Sequence, residues 1–251
     1  PDEPNPADIE DLHLCDNDHD GVFDNGIVQT FNLDSQRSDI LGSQSASDFT
    51  VTFHLSQDDA NTGANAISNT AAYENSVPNL ETIYVRIENN TTGCFTAKTN
   101  FDLIVDPLPV VGAITPLEIC DDDSDGSAQN GFSQTIDLES KTDEILGSQD
   151  PSNFRVTYHL TQTDAQSGSN PLSSPFTNTD AGTQTIYVRV LNLTTFCDND
   201  FFNFNVIVNP EPTIEVIAPL EECDNTDDGD DRNGFVQTFN LDSQIPSLLG
   251  I

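Results

Sequence analysis

Short runs in which apolar and polar residues alternate punctuate the chain, as in Val51-Thr52-Phe53-His54-Leu55 and Thr82-Ile83-Tyr84-Val85-Arg86-Ile87, with matching runs at Val156 to Leu160 and Thr185 to Val190. A period of two sends successive side chains to opposite faces of an extended chain, so each run predicts a half-buried strand. With roughly seven strands per 100 residues, separated by polar turns, the expected architecture is an all-β sandwich. One helical signal interrupts it. Ser35 to Leu41, copied at Ser140 to Leu146, is bounded by a Ser cap and a closing Gly and spans at most two turns.

The whole pattern recurs with a period of about 104 residues. Leu14-Cys15-Asp16-Asn17-Asp18-His19-Asp20-Gly21 returns as Ile119-Cys120-Asp121-Asp122-Asp123-Ser124-Asp125-Gly126, and again as Glu222-Cys223-Asp224-Asn225-Thr226-Asp227-Asp228-Gly229. Ile40-Leu41-Gly42-Ser43-Gln44 returns as Ile145-Leu146-Gly147-Ser148-Gln149. The expected organisation is tandem Ig-like or cadherin-like β-sandwich repeats: residues 1–106 as the first, 107–209 as the second, and 210–251 as the truncated start of a third. The third copy stops soon after Leu248-Leu249-Gly250, so the chain reads as a piece cut from a longer protein. Asp106-Pro107-Leu108-Pro109 and Asn209-Pro210-Glu211-Pro212 join the units, and alternating prolines favour extended, stiff backbone.

Charge narrows the function. The formal net charge of −36 repels phosphate backbones and anionic lipid, which excludes nucleic acid as a partner. Acidic chains are often disordered, but 35% hydrophobic residues and 15 Phe supply enough apolar surface for packed cores. No apolar run is long enough to span a bilayer, so direct membrane insertion is not expected.

Five cysteines occupy two positions of the repeat: Cys15, Cys120 and Cys223 in the acidic segment, Cys94 and Cys197 after the Tyr-Val-Arg strand. Two registers respect the period. Pairing inside each unit would join Cys15 to Cys94 and Cys120 to Cys197, each repeat closing its own fold. Pairing across the linker would join Cys94 to Cys120 and Cys197 to Cys223. The first is preferred, because a 79-residue loop stabilises by roughly 4.5 kcal/mol in the chain-entropy model without stapling neighbours together.

Asp16, Asp18, Asp20 and Gly21 have the spacing of the first half of a calcium loop, where alternate carboxylates converge on one cation and Gly permits the sharp turn. Asp121, Asp123, Asp125 and Gly126 repeat it, and the third copy keeps Asp224, Asp228 and Gly229. The position of the bidentate Glu of an EF-hand falls on Ile27, Phe132 and Phe235, so these loops are not EF-hands. Asp34, Glu139, Asp242 and carbonyls near Asn25 and Asn130 are candidates for the missing oxygens. The expectation is structural Ca2+ that stiffens the start of each domain. The competing reading is a solvated Asp-rich turn.

His54 and His159, with Asp59 and Asp164 following, invite an acid-base reading, but they lie inside alternating strands without an activated nucleophile, and packing explains them better. No catalytic residue is assigned and the protein is not expected to be an enzyme. Arg86 and Arg189 are read as neutralising carboxylates of their own domain. Tyr73, Tyr84 and Phe95 could line a shallow sugar site, although there is no Trp.

The Cys-Asp-x-Asp-x-Asp-Gly segment, Ile-Leu-Gly-Ser-Gln, Val156 to Ala165, Thr185 to Val190 and the closing Pro-x-Pro together resemble repeats of giant Bacteroidota cell-surface adhesins. That resemblance covers essentially the whole chain. It implies export by the type IX secretion system, a place in the shaft of an adhesin on the bacterial surface, and a link to gliding motility. The partners it implies are neighbouring repeats of the same chain, surface polysaccharide, or the secretion and motility machinery. The function expected is a structural shaft of calcium-stiffened, disulfide-closed repeats that projects a binding tip; the alternative is a multivalent carbohydrate-binding module.

Overall fold

A computed structural model describes residues 4–16, 22, 24–237 and 239–250. Its two full repeats are β-sandwich domains in tandem, each built on one four-stranded sheet. The first sheet comprises β1 (Leu12–Cys15), β2 (Phe49–His54), β3 (Leu80–Asn89) and β4 (Phe95–Asp106) in the order β1-β4-β3-β2. The second comprises β5 (Leu117–Cys120), β6 (Phe154–His159), β7 (Thr183–Asn192) and β8 (Asp198–Asn209) in the order β5-β8-β7-β6. β1 runs parallel to β4, with Leu12 opposite Leu103 and Cys15 opposite Asp106, and β5 repeats this on β8, with Cys120 opposite Asn209. The other pairings of the first sheet are antiparallel, and a bulge interrupts β3 between Val85 and Ile87.

The predicted alternation is visible in the burial. Along β3, Glu81, Ile83, Val85 and Ile87 are buried while Thr82, Tyr84, Arg86 and Glu88 are half exposed, and β7 has the same pattern. Four named strands per repeat replace the seven expected. The second layer is chain that is extended but too irregular for a ladder: Phe31 and Tyr73 exchange backbone hydrogen bonds as an isolated bridge, as do Ile136 and Phe176. Buried asparagines replace the missing ladder bonds. Asn75 Oδ1 accepts from Val28 N at 2.7 Å and its Nδ2 donates to Gly26 O at 2.7 Å; Asn178 does the same for Ser133 and Gly131 at 2.8 Å each. Between the layers Phe31, Leu33, Ile40, Phe53, Ile83 and Phe101 form the first core.

The helical signal lies at α1 (Arg37–Leu41), entered through a 3-10 turn over Leu33–Gln36. The Ile-Leu-Gly-Ser-Gln motif packs this helix, stops it and ties it down. Ile40 and Leu41 are buried, Gly42 ends the helix at φ +54°, and Gln44 clasps Asn5 through both amide atoms. Its copy α3 (Thr142–Leu146) leads to Gln149, which clasps Val110 in the same way. Two further helices lie outside the expected elements: α2 (Gln57–Thr62) and α4 (Gln162–Ser167). Ser56 and Thr161 cap them by accepting from the N–H three residues on, and Gly63 and Gly168 close them in the left-handed conformation.

Candidate functional site

The acidic segment grows out of β1. Asp16 N continues the ladder by donating to Asp106 O at 2.9 Å, which turns the Asp16 side chain inward, where Oδ2 accepts from Gly26 N at 2.8 Å. The second copy is the same, with Asp121 N on Asn209 O at 2.6 Å and Asp121 Oδ2 on Gly131 N at 2.6 Å. In the third, Asp224 Oδ2 accepts from Gly234 N at 2.8 Å. The first Asp of each loop therefore closes a ten-residue loop onto an Asn-Gly turn. The glycine is required there: Gly26 sits at φ +74°, and a Cβ would come within 2.5 Å of Asn79 Oδ1.

The third Asp is committed as well. Asp125 accepts from Ser127 N at 3.0 Å and Asn130 Nδ2 at 2.7 Å, and Asp228 accepts from Asp230 N at 3.0 Å and Asn233 Nδ2 at 2.7 Å. The Asn233 amide, then the Asp230 N–H, hold the Asp228 carboxyl below the ordinary aspartate range. Asp123 begins a 3-10 turn over Asp123–Asp125. Asp18 and Asp20 lie outside the described residues. Asp34 is drawn to Arg37 instead, Nε to Oδ1 at 2.6 Å. Among the described residues no three His, Cys, Asp or Glu side chains are grouped so as to hold a metal ion. One feature still suits a cation: Asp121, fully buried, keeps Oδ1 without a hydrogen-bond partner, and Asp224 Oδ1 is buried and unpartnered in the equivalent place.

The cysteines correct the expected pairing. Cys15 is bonded to Cys197, with Cα atoms 5.4 Å apart and a sequence separation of 182. Cys94, Cys120 and Cys223 are free, so neither within-repeat bond forms, nor does the cross-linker alternative. The reason is topological. Parallel pairing puts Cys15 level with Asp106, the last residue of β4, while Cys94 precedes Phe95, its first. Twelve residues of strand, roughly 35 Å, separate those ends, and a disulfide spans no more than about 7 Å between Cα atoms. Cys120, level with Asn209, is held from Cys197 by β8 in the same way.

Cys197 is fully buried at the end of a turn that begins at Asn192, whose Oδ1 accepts from Thr194 N at 2.8 Å and Thr195 N at 3.2 Å. Phe196, in the left-handed region at φ +61°, stands where the first repeat has Gly93 at φ +70°. Asn199 Nδ2 holds the linker at Pro109 O, 3.0 Å away. Both bonded cysteines belong to one compact unit, formed by described residues of 1–115, 137–174 and 185–204.

The residues that tempt a catalytic reading are engaged. His54, fully buried, has Nδ1 2.7 Å from Ala64 O and Nε2 2.9 Å from Thr52 Oγ1, and His159 makes the same contacts with Ser169 and Thr157. Arg86 caps the C-terminal end of α2 through Ala60 O and Asn61 O while pairing with Glu88. Arg189 pairs with Asp198 at 2.8 Å. Among the described residues no helix is long and apolar enough to cross a membrane.

A protein-family model described as the Flavobacterium inter-domain disulphide bond domain matches the chain twice, over residues 11–109 and 116–212. Among solved structures, the cadherin-like domains 1 to 4 of zebrafish RET are similar at 11% identity with a TM-score of 0.19, over 67% of this chain and 41% of that one. No curated protein matches.

Proposed function

This chain belongs to the Flavobacterium inter-domain disulphide bond domain family, and from that premise we propose that it is the tension-bearing shaft of an extracellular bacterial adhesin, in which successive repeats are covalently tied to one another. The observation that carries the reading is the Cys15–Cys197 bond, which runs from the first strand of one repeat to the hairpin turn of the next. A bond closed inside a repeat would protect only that repeat, whereas this one carries force past the linker. Disulfides persist in oxidising surroundings, which agrees with a place outside the cell. Applied to any further copies, the same register would join Cys120 to the counterpart of Cys197 in the following repeat and Cys94 to the counterpart of Cys15 in the preceding one. The role is mechanical and non-enzymatic, and adhesion or gliding would be served by a tip that the shaft projects.

Calcium belongs to this proposal as a stiffener of the acidic loops, supported by the orphaned, buried Oδ1 atoms of Asp121 and Asp224. Further ligands would include backbone carbonyls and water, since no three His, Cys, Asp or Glu side chains are grouped there among the described residues.

The test is attachment of cells under flow. Cells whose repeats carry Cys15→Ser or Cys197→Ser should attach normally at rest and detach at lower shear than the parent. Surface labelling of intact cells checks that the variant is still displayed. Equal resistance to shear at equal display would overturn the shaft reading.

A further inference from the structure

In the first repeat Arg37, at the start of α1, lays its guanidinium 4.9 Å from the centre of the Phe53 ring, donates from Nε to Asp34 Oδ1 at 2.6 Å, and donates from Nη1 to the Val51 carbonyl. An offset of 105 residues carries these three partners to Tyr158, Glu139 and Val156. The aromatic frame is unchanged, since Tyr158 meets Phe204 edge-on at 89° as Phe53 meets Phe101 at 87°. The cation differs. Thr142 stands where Arg37 does, and its hydroxyl lies 3.0 Å from that of Tyr158. What Arg37 would fill is an open cleft of about 410 Å³, lined by Glu139, Thr142, Phe154, Val156, Tyr158 and Leu172 among others. Among the described residues no Lys, Arg or His is paired with Glu139.

We propose that this cleft of the second repeat binds the guanidinium of an arginine side chain presented by another polypeptide, in the place that Arg37 fills in the first. The recognition is the one the protein already uses on itself. A carboxylate and a backbone carbonyl accept from different edges of a planar fork, and an aromatic ring lies under its face. Phe154, Val156 and Leu172 offer apolar wall to the methylene stem. Lysine, a compact point charge, cannot serve both acceptors and the ring at once. The net charge of −36 draws any cation toward the surface, so discrimination between the two cations, rather than attraction itself, identifies the site.

The experiment is a titration of the oxidised 251-residue chain with N-acetyl-arginine amide and separately with N-acetyl-lysine amide, followed by amide NMR shifts. Arginine should move Glu139, Thr142 and Tyr158 together and saturate, with lysine weaker by about tenfold or more. Glu139→Gln should weaken the arginine response, and Thr142→Arg should abolish it while raising the melting temperature, as the cleft fills from within. Equal shifts with lysine, or an arginine response unchanged in Glu139→Gln, would overturn the proposal. Glu139 is exposed, so that variant is expected to fold whatever Thr142→Arg does.

Discussion

Force applied at the two termini must pass through the Cys15–Cys197 bond, and the sequence between those cysteines, which stand 182 positions apart, is then shielded from extension. At about 3.5 Å per extended residue, the hidden contour length is about 600 Å. In the chain-entropy model a loop of this size stabilises the fold by about 5 kcal/mol. Removing the bond by Cys15→Ser or Cys197→Ser should therefore add about 600 Å to the length released in single-molecule pulling and lower the unfolding free energy by about 5 kcal/mol. The two substitutions should be equivalent, because either one opens the same loop. Cys94→Ser should change neither quantity, since Cys94 is a free thiol. Release of about 280 Å by Cys94→Ser, the length of a loop closed inside the first repeat, would refute this assignment of the bond.

Glu144 tests how the second repeat holds the segment before it. Lys141, 2.5 Å away, and Thr115 N lower its carboxyl from 4.5 to about 2. A depressed carboxyl contributes stability that is present above its unfolded value and lost as the pH falls, so a contribution should fade between about pH 4.5 and 2 and be missing in Glu144→Gln, as read from acid melts of the two chains. Phe196→Gly removes a side chain that is 72% exposed from φ +61°; relief of about 1–2 kcal/mol against about 0.5–1 kcal/mol of added chain freedom predicts an unchanged or slightly higher melting temperature, and a clear drop would show that the phenyl ring packs. Asn75→Ala strands the buried Val28 N–H, while the Gly26 carbonyl keeps its bond from Asn79 N, and should cost about 1–3 kcal/mol in denaturant unfolding. If calcium stiffens the acidic loops, adding it should raise the melting temperature of the parent and do less for Asp121→Asn, whereas chelator-insensitive melts of both would reduce the loops to hydrogen-bonded turns.

What is legible in the sequence is local. The period of two in Thr82 to Ile87 and in Thr185 to Val190 specifies strands and their inner faces, because side-chain direction alternates wherever the chain is extended. The repeat specifies tandem domains. Ser56 and Gly63 bracket α2 as plainly as Ser35 and Gly42 suggest α1, so a capping signal marks that unexpected helix too. The irregular second layer has no such signal, since its order rests on Asn75 and Asn178, single side chains that reach across 47 and 45 residues.

The disulfide pairing lay beyond the sequence for a different reason. The cysteine spacings admit a within-repeat register, which the sequence favours, and a cross-linker one; the bond that forms is neither, because the first strand joins the sheet beside β4 in parallel. That pairing places Cys15 and Cys94 at opposite ends of one strand, and only the assembled sheet carries this information. The cleft of the second repeat is of the same kind. Thr142 for Arg37 is an ordinary surface exchange in the sequence, and becomes the loss of an internal cation only once Asp34, Val51 and Phe53 are seen to converge on it. Strand, turn and repeat follow from neighbours along the chain; which half-cystines meet and which charge lacks its partner follow from neighbours in space.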